Sequence, residues 1–404
     1  MLHLSPIFRT LMRRKFGVFL MLIQISITTA IFSNLAFIIQ QIDVMNLRPT
    51  GFNENQLFSV TLHPLAGSNY ANTQHDIRSI QALAGAEQVA SVRWIPLSGK
   101  ATGGAFRIFP EKEASTFAVQ KADVSPEALR TLGLKIVSGR DFIPEDMSIE
   151  LTSKGDGPKN IIISQYLADT LFGKNQNAIG KIIYEGEVSR EIVGVFEDSL
   201  GFTQPYPDAS EKTALYPRID ENETQFRYLV RAKTTEGRAA LIESVSQLLL
   251  NNYQNQVFLY IDKIDDVKKQ RDHINEVVGN SMVVIIVALG LVVAFAISGQ
   301  TLFSISQRIK QIGIRRALGA SRVDIIVQLI TENTMVCIFG LLIGIVLSLA
   351  MNLAVVQTLR GIPAMSPLFI IFIGLVLLAI CIISAAIPAW QAGKISPSLA
   401  TRTV

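Results

Sequence analysis

The sequence is poor in several things that a water-soluble enzyme carries. Only 17% of its 404 residues are charged, against roughly 25% in a typical soluble domain, so a large part of the chain has no reason to face water. Its two cysteines, Cys337 and Cys381, both lie inside apolar runs, which leaves the rest of the chain without a disulfide and dependent on an ordinary core. His3, His63, His75 and His273 are scattered, and none has the i, i+4 partner that brings two imidazoles to one helix face for a metal. No G-x-S-x-G elbow and no motif that fixes a pair of carboxylates occurs, so nucleophilic and paired-carboxylate catalysis have no candidates. The phosphate cradle G-x-x-x-x-G-K-[ST] is missing too. At its nearest approach, Gly180-Lys181, Asn175 stands where the first glycine belongs and Ile182 where the hydroxyl belongs. The chain is expected to be no enzyme, with no catalytic, cofactor-binding or metal residues of its own.

What it has is apolar sequence in blocks. Hydrophobic residues make up 49% of the chain and concentrate in one run near the N-terminus and three near the C-terminus. The first, 16–39, exceeds the roughly 20 residues needed to cross hydrocarbon and follows Arg9, Arg13, Arg14 and Lys15. It is too long for a signal peptide and has no A-x-A-like site after it, so it reads as an uncleaved anchor. The other spans are expected at 277–303, 325–356 and 367–388, four in all. The 304–324 loop carries Arg308, Lys310, Arg315, Arg316 and Arg322, whereas the loop before the last span has only Arg360. The positive-inside rule then places that loop, the N-terminus (1–15) and the tail (389–404) in the cytoplasm, and 40–276 on the far side. The net charge of +4 is a topology signal rather than a nucleic-acid surface.

The exported segment 40–276 alternates strand-like and helix-like patterns. Near its start, 56–62 reads as a strand, 72–83 as a helix and 88–95 as a strand. Near its end the order recurs at 226–231, 238–251 (apolar at Leu241, Val245, Leu248 and Leu249) and 256–261. Two strand-helix-strand units suit a split βαβ, ferredoxin-like fold. The stretch 103–216, with strands at 160–164, 181–184 and 191–196 and a Gly155-Gly157-Pro158 loop, is expected to be an inserted second subdomain. The fold class is thus an α-helical membrane protein with four transmembrane helices plus an exported α+β domain.

The basic loop is the most informative segment. Ser306 to Leu318 can form a short helix with Ile305, Ile309 and Ile312 on one side. Gly319 suits the left-handed position after such a helix, and Ser321 with Asp324 makes a capping box for the next. In the third span, Gly340 and Gly344 form a G-x-x-x-G pair suited to close helix packing.

Gln311-Ile-Gly-Ile-Arg-Arg-Ala-Leu-Gly-Ala-Ser-Arg-Val-Asp324 resembles the cytoplasmic motif of FtsX-like permeases, particularly the MacB-type branch. The runs beginning Asp123-Val-Ser-Pro, Val137-Ser-Gly-Arg, Leu171-Phe-Gly-Lys and Ile192-Val-Gly-Val resemble that family's periplasmic core, and Ile387-Pro-Ala-Trp-Gln-Ala-Gly-Lys-Ile-Ser-Pro397 resembles its ending. The resemblance implies the permease subunit of an ABC transporter of the mechanotransmission type in the bacterial inner membrane. It would be dimeric, with a second copy or a homologous permease, and driven by a cytoplasmic ATPase that binds ATP and magnesium. No fused ATPase domain precedes the first span, so the ATPase is expected on another polypeptide. The residues expected to couple to it are Arg308, Ile309, Ile312, Gly313, Arg315, Arg316, Leu318, Gly319 and Ala320. The implied work is export or extraction of a peptide, drug or lipid-linked cargo, with a periplasmic adaptor and an outer-membrane channel as further partners. The alternative is a transducer that moves no cargo and regulates an exported enzyme or sensor.

Overall fold

The computed structural model describes residues 15–64, 70–100, 102–111, 113–150, 157–199, 211–220, 225–253, 257–359 and 364–394. The expected N-terminal segment 1–14, Gly155, Arg360 and the tail beyond 394 lie outside the described residues. The chain forms two units, one on Val44–Asn275 and the other on the first helix together with the helices from Glu276 onward.

In chain order, α1 (Lys15–Asn46) leads to β1 (Leu57–Pro64), α2 (Tyr70–Gln81) and β2 (Ala86–Ser91). Next come β3 (Thr102–Phe106), β4 (Phe117–Val124), α3 (Ala128–Leu132), β5 (Ile136–Gly139), β6 (Ser148–Glu150), β7 (Asn160–Ser164), α4 (Gln165–Phe172), β8 (Ile182–Glu185), β9 (Val188–Phe196) and β10 (Thr213–Asp220). The extramembrane unit closes with β11 (Phe226–Ala232), α5 (Arg238–Asn252) and β12 (Val257–Lys263).

The first and last strand-helix-strand units interleave in one antiparallel sheet of order β12-β1-β11-β2, the ferredoxin-like arrangement expected from the sequence. Alternation along the strands assigns its faces. Phe58, Val60, Leu62, Val89, Tyr228 and Val230 point to one side and bury Ile77 and Ile80 of α2 with Leu241, Val245 and Leu249 of α5. Leu57, Ala90 and Leu229 point to the other, into a core shared with Leu129, Leu132 and Leu215 of the insertion. Each fully buried Val, Leu, Ile or Phe among them stabilises by roughly 1.5–3 kcal/mol, which is the ordinary core that a disulfide-free domain requires.

The inserted strands form a second sheet of order β3-β4-β10-β7-β9-β5, with β6 on β10 and β8 on β9. Arg107, just past β3, and Tyr184 of β8 exchange backbone hydrogen bonds of 2.9 and 2.8 Å, so the sheet curls back towards its first strand around Phe106, Ile161, Ile163, Ile183 and Val195.

The membrane unit continues with α6 (Ile264–Ser306), α7 (Ile309–Ala317), α8 (Arg322–Leu359) and α9 (Pro367–Gly393). Among the described residues, α1, α6, α8 and α9 are the four helices long and apolar enough to cross a bilayer. Helix α9 runs past Pro388 to Gly393. A proline inside a helix frees the carbonyl four residues earlier. Here that carbonyl, on Ser384, accepts from Ser298 Oγ of α6 at 2.9 Å, so the helix continues with no backbone group stranded in lipid.

Candidate functional site

The segment between the second and third spans is built from local rules and then fastened to its neighbours. Helix α6 ends at Ser306, and α7 begins after Arg308. At its other end Gly319 takes φ 102°, which favours glycine. The Gly319 N–H donates to Arg316 O at 3.2 Å and the Ala320 N–H to Arg315 O at 3.1 Å, the paired bonds of a Schellman cap. Two residues on, the Ser321 N–H donates to Asp324 Oδ2 at 2.9 Å and the Asp324 N–H to Ser321 Oγ at 3.1 Å, a reciprocal capping box that starts α8. Both caps match the reading of Gly319, Ser321 and Asp324 made from sequence. They define the turn between two helices.

Three stripes of α7 have different surroundings. Ile312 is 6% exposed and packs with Ile305, Ile325, Leu329, Ala389 and Ala392; Gly313 beside it is also buried. Arg316 reaches α9, where Nη1 donates to Gly393 O at 3.0 Å. Facing α8, Arg308 Nη1 bonds Glu332 at 3.0 and 3.4 Å, Gln328 Nε2 donates to the same carboxylate at 3.0 Å, and Arg315 Nη1 donates to Gln328 Oε1 at 2.6 Å. Away from these contacts lies an exposed stripe of Lys310, Ile314 and Leu318, in which Leu318 is 83% exposed. The side that holds Ile305, Ile309 and Ile312 in a helical projection is therefore divided. Ile312 is spent on the inner core and Ile309 is 39% exposed, so of these two residues expected to couple to the ATPase only Ile309 is open to a partner. Ile314, Gln328 and Glu332 were not among the expected residues. Ile314 was findable as the i+4 neighbour of Lys310 and the i−4 neighbour of Leu318.

No group of three or more metal-ligating side chains occurs among the described residues. What the arrangement offers is a short helix, capped at its C-terminal end, that is fixed on one side and open on the other.

Two family models match. The MacB-like periplasmic core domain matches residues 16–248, more than half the chain, and the FtsX-like permease C-terminal domain matches residues 282–397. The chain belongs to the MacB/FtsX-like ABC transporter permease family. This permease is 25% identical over 241 residues to the macrolide export ATP-binding/permease protein MacB of Bordetella avium, a match covering 57% of the permease and 35% of that protein. It is also 25% identical over 236 residues to MacB of Escherichia coli, covering 56% and 34%. The matches thus span about a third of the length of these curated relatives. Among solved structures, the periplasmic region of MacB from Actinobacillus actinomycetemcomitans aligns with 56% of the permease and 97% of that chain at 13% identity and a TM-score of 0.36.

The other expected residues of the permease, Gly340 and Gly344, lie where α8 meets α1. A Cβ on Gly340 would stand 2.9 Å from Ile25 Cβ, and one on Gly344 would stand 2.6 Å from Thr29 Cβ and 2.9 Å from the backbone oxygen of Ser26. Ser26 Oγ donates to Gly340 O at 3.0 Å, and two turns further Ser33 Oγ lies 2.7 Å from Ser348 Oγ. Small residues let the two backbones approach, and the hydroxyls exploit the approach.

Proposed function

We propose that the permease is the membrane half of a mechanotransmission transporter whose ATPase is a separate cytoplasmic polypeptide docking on α7. The observation that carries this reading is the division of α7 into a fastened side and an open side. The cap at Gly319 and the capping box at Ser321 fix the turn from α7 into α8, and the inner contacts of α7 tie it to α8 and α9. The outward stripe then supplies an exposed apolar pair, Ile314 and Leu318, beside the charge of Lys310, a patch that a partner's groove would bury. The five cations of the 304–324 segment favour a cytoplasmic position for it and for both termini. The permease pairs with a second copy or a homologous permease and handles a peptide, drug or lipid-linked cargo on the far side, with an adaptor and an outer-membrane channel as further partners. The names of the MacB relatives, which specify macrolide export and ATP binding, support the export branch of this reading.

Copurification of the ATPase with the full-length permease tests it. Leu318→Asp places a charge on the outward anchor and costs the interface at least about 2 kcal/mol, or roughly thirtyfold in affinity, while the permease itself stays folded. Gly319→Val keeps the contacts but strains a left-handed position, so the ATPase still binds and transport fails. Wild-type copurification and transport by Leu318→Asp would refute docking on this stripe.

A further inference from the structure

The inner side of α7 holds a second feature that docking on the outer stripe does not use. Arg308, Gln311 and Arg315 follow one another at i, i+3 and i+7 and so share a face. With Gln328 of α8 they wall a pocket of about 60 Å³ floored by Ile312 and Leu329. A single water needs roughly 10–15 Å³, so the space takes a group with several oxygens. Its charge is positive. Glu332 neutralises Arg308, the two side chains being 15% and 8% exposed, whereas Arg315 has no acidic partner among the described residues and bonds only the neutral amide of Gln328. The Gln311 side chain, exposed at the rim, makes no hydrogen bond among the described residues.

The depth of the pocket in the membrane follows from the helices that build it. All the charged residues of α8, Arg322, Asp324 and Glu332, fall in its first turns, and none follows before Leu359. At 1.5 Å per residue, the uncharged remainder spans roughly 40 Å, more than the ~30 Å of hydrocarbon. The segment at Ile325 to Leu329 therefore lies at headgroup level. Trp390 and Lys394 give the same depth from α9. Lys394 Nζ sits 3.6 Å above the indole ring, an aromatic and a cation together at a helix end as at a lipid interface, and Arg316 of α7 bonds Gly393 between them.

We propose that this pocket binds the phosphate diester of one anionic phospholipid, paired with Arg315 and hydrogen-bonded by the Gln311 amide. The lipid fills the cleft between α7 and α8 from the bilayer side and braces α7 against the third span. Phosphate is the fitting anion because guanidinium forks match its oxygens. A lipid is the fitting source because the pocket lies at headgroup depth.

The site rests on the membrane embedding of the permease and is independent of the ATPase, so the test uses the purified full-length chain alone. In native mass spectrometry from a detergent containing equal phosphatidylglycerol and phosphatidylcholine, the wild-type chain retains one phosphatidylglycerol preferentially. Arg315→Gln weakens that retention about tenfold or more, as loss of a charge-assisted bond requires. Gln311→Leu weakens it less, and Lys310→Gln, which removes the same charge from the outer stripe, leaves it unchanged. Thermal melting in phosphatidylcholine alone confirms that each variant is folded. Equal loss in Arg315→Gln and Lys310→Gln would reduce the site to diffuse charge. Equal retention of both lipids overturns the anionic preference, and displacement of phosphatidylglycerol by millimolar inorganic phosphate makes the ligand a free anion instead of a lipid. Failure of ATPase copurification with these results intact would count against the docking proposal alone.

Discussion

Replacing Gly344 by alanine adds one methyl at the tightest point between α1 and α8, and the surroundings determine its sign. In a helix interior, glycine to alanine normally stabilises by about 0.5–1 kcal/mol through backbone entropy. At Gly344 the new Cβ meets Thr29 Cβ at 2.6 Å and Ser26 O at 2.9 Å, and the second of these is backbone on a packed helix that cannot swing aside. The helices must separate, which costs about 1–3 kcal/mol for an overpacked contact and also lengthens the 3.0 Å bond from Ser26 to Gly340 O. Gly290 is the control, since a Cβ there has nothing within 4 Å. Equilibrium unfolding in mixed micelles, followed by circular dichroism, should show Gly344→Ala less stable than wild type by about 1–2 kcal/mol once the propensity gain is subtracted, while Gly290→Ala is neutral or slightly more stable. If the two variants unfold alike, the close approach of α1 at Gly344 is refuted.

Two further outcomes concern the extramembrane unit. The fragment 44–275 carries its own three apolar clusters and should fold alone when expressed in a reducing cytoplasm; a product without ordered circular dichroism counts against this. Its stability should depend on pH through two carboxylates of opposite sign. Burial works to raise the Asp146 carboxyl, but bonds from Arg140, the Ile143 N–H and Asn160 outweigh it and hold it at about 2. Its contribution, roughly 1–2 kcal/mol given the exposed edge of Arg140, is therefore present above the unfolded value near 4 and lost as pH falls towards 2, a loss that Asp146→Asn abolishes. Burial raises the Asp76 carboxyl above its ordinary range despite hydrogen bonds of 2.7 and 2.8 Å from the Tyr228 and Tyr253 hydroxyls. Its contribution is full below the unfolded value and lost as pH rises through the folded one. Asp76→Asn, which can still accept from both tyrosines, should flatten that arm of the stability curve, and an unchanged curve would show that Asp76 is solvated.

What the sequence disclosed follows the range of the interactions involved. The spans were legible because hydrocarbon thickness imposes a run length that no soluble segment here reaches. The interleaved sheet was legible because each strand-helix-strand unit is bounded by its own turns. The caps at Gly319 and Ser321 were legible because each is closed within five residues. The orientation of α7 was not, since Ile305, Ile309 and Ile312 make one side apolar and Ile314 and Leu318 the opposite side, and the residues that choose the inner face, Ala389 and Ala392, come some 80 positions later. For the same reason Gly340 and Gly344 could be marked as a packing motif while their partner, 314 or more positions earlier in α1, could not be named. The pair Arg308 and Glu332 lies between these cases. The acid is 24 residues away, but the turn at Gly319 folds α7 back along the start of α8. An ionisable residue near the end of a membrane helix calls for a partner, and Arg308 is a basic residue that this turn can bring back to it. That turn also explains why a loop rich in arginine ends with its charges differently employed. Arg308 is consumed by Glu332 and Arg316 reaches the end of α9, while Arg315 keeps a cation facing the cleft between α7 and α8.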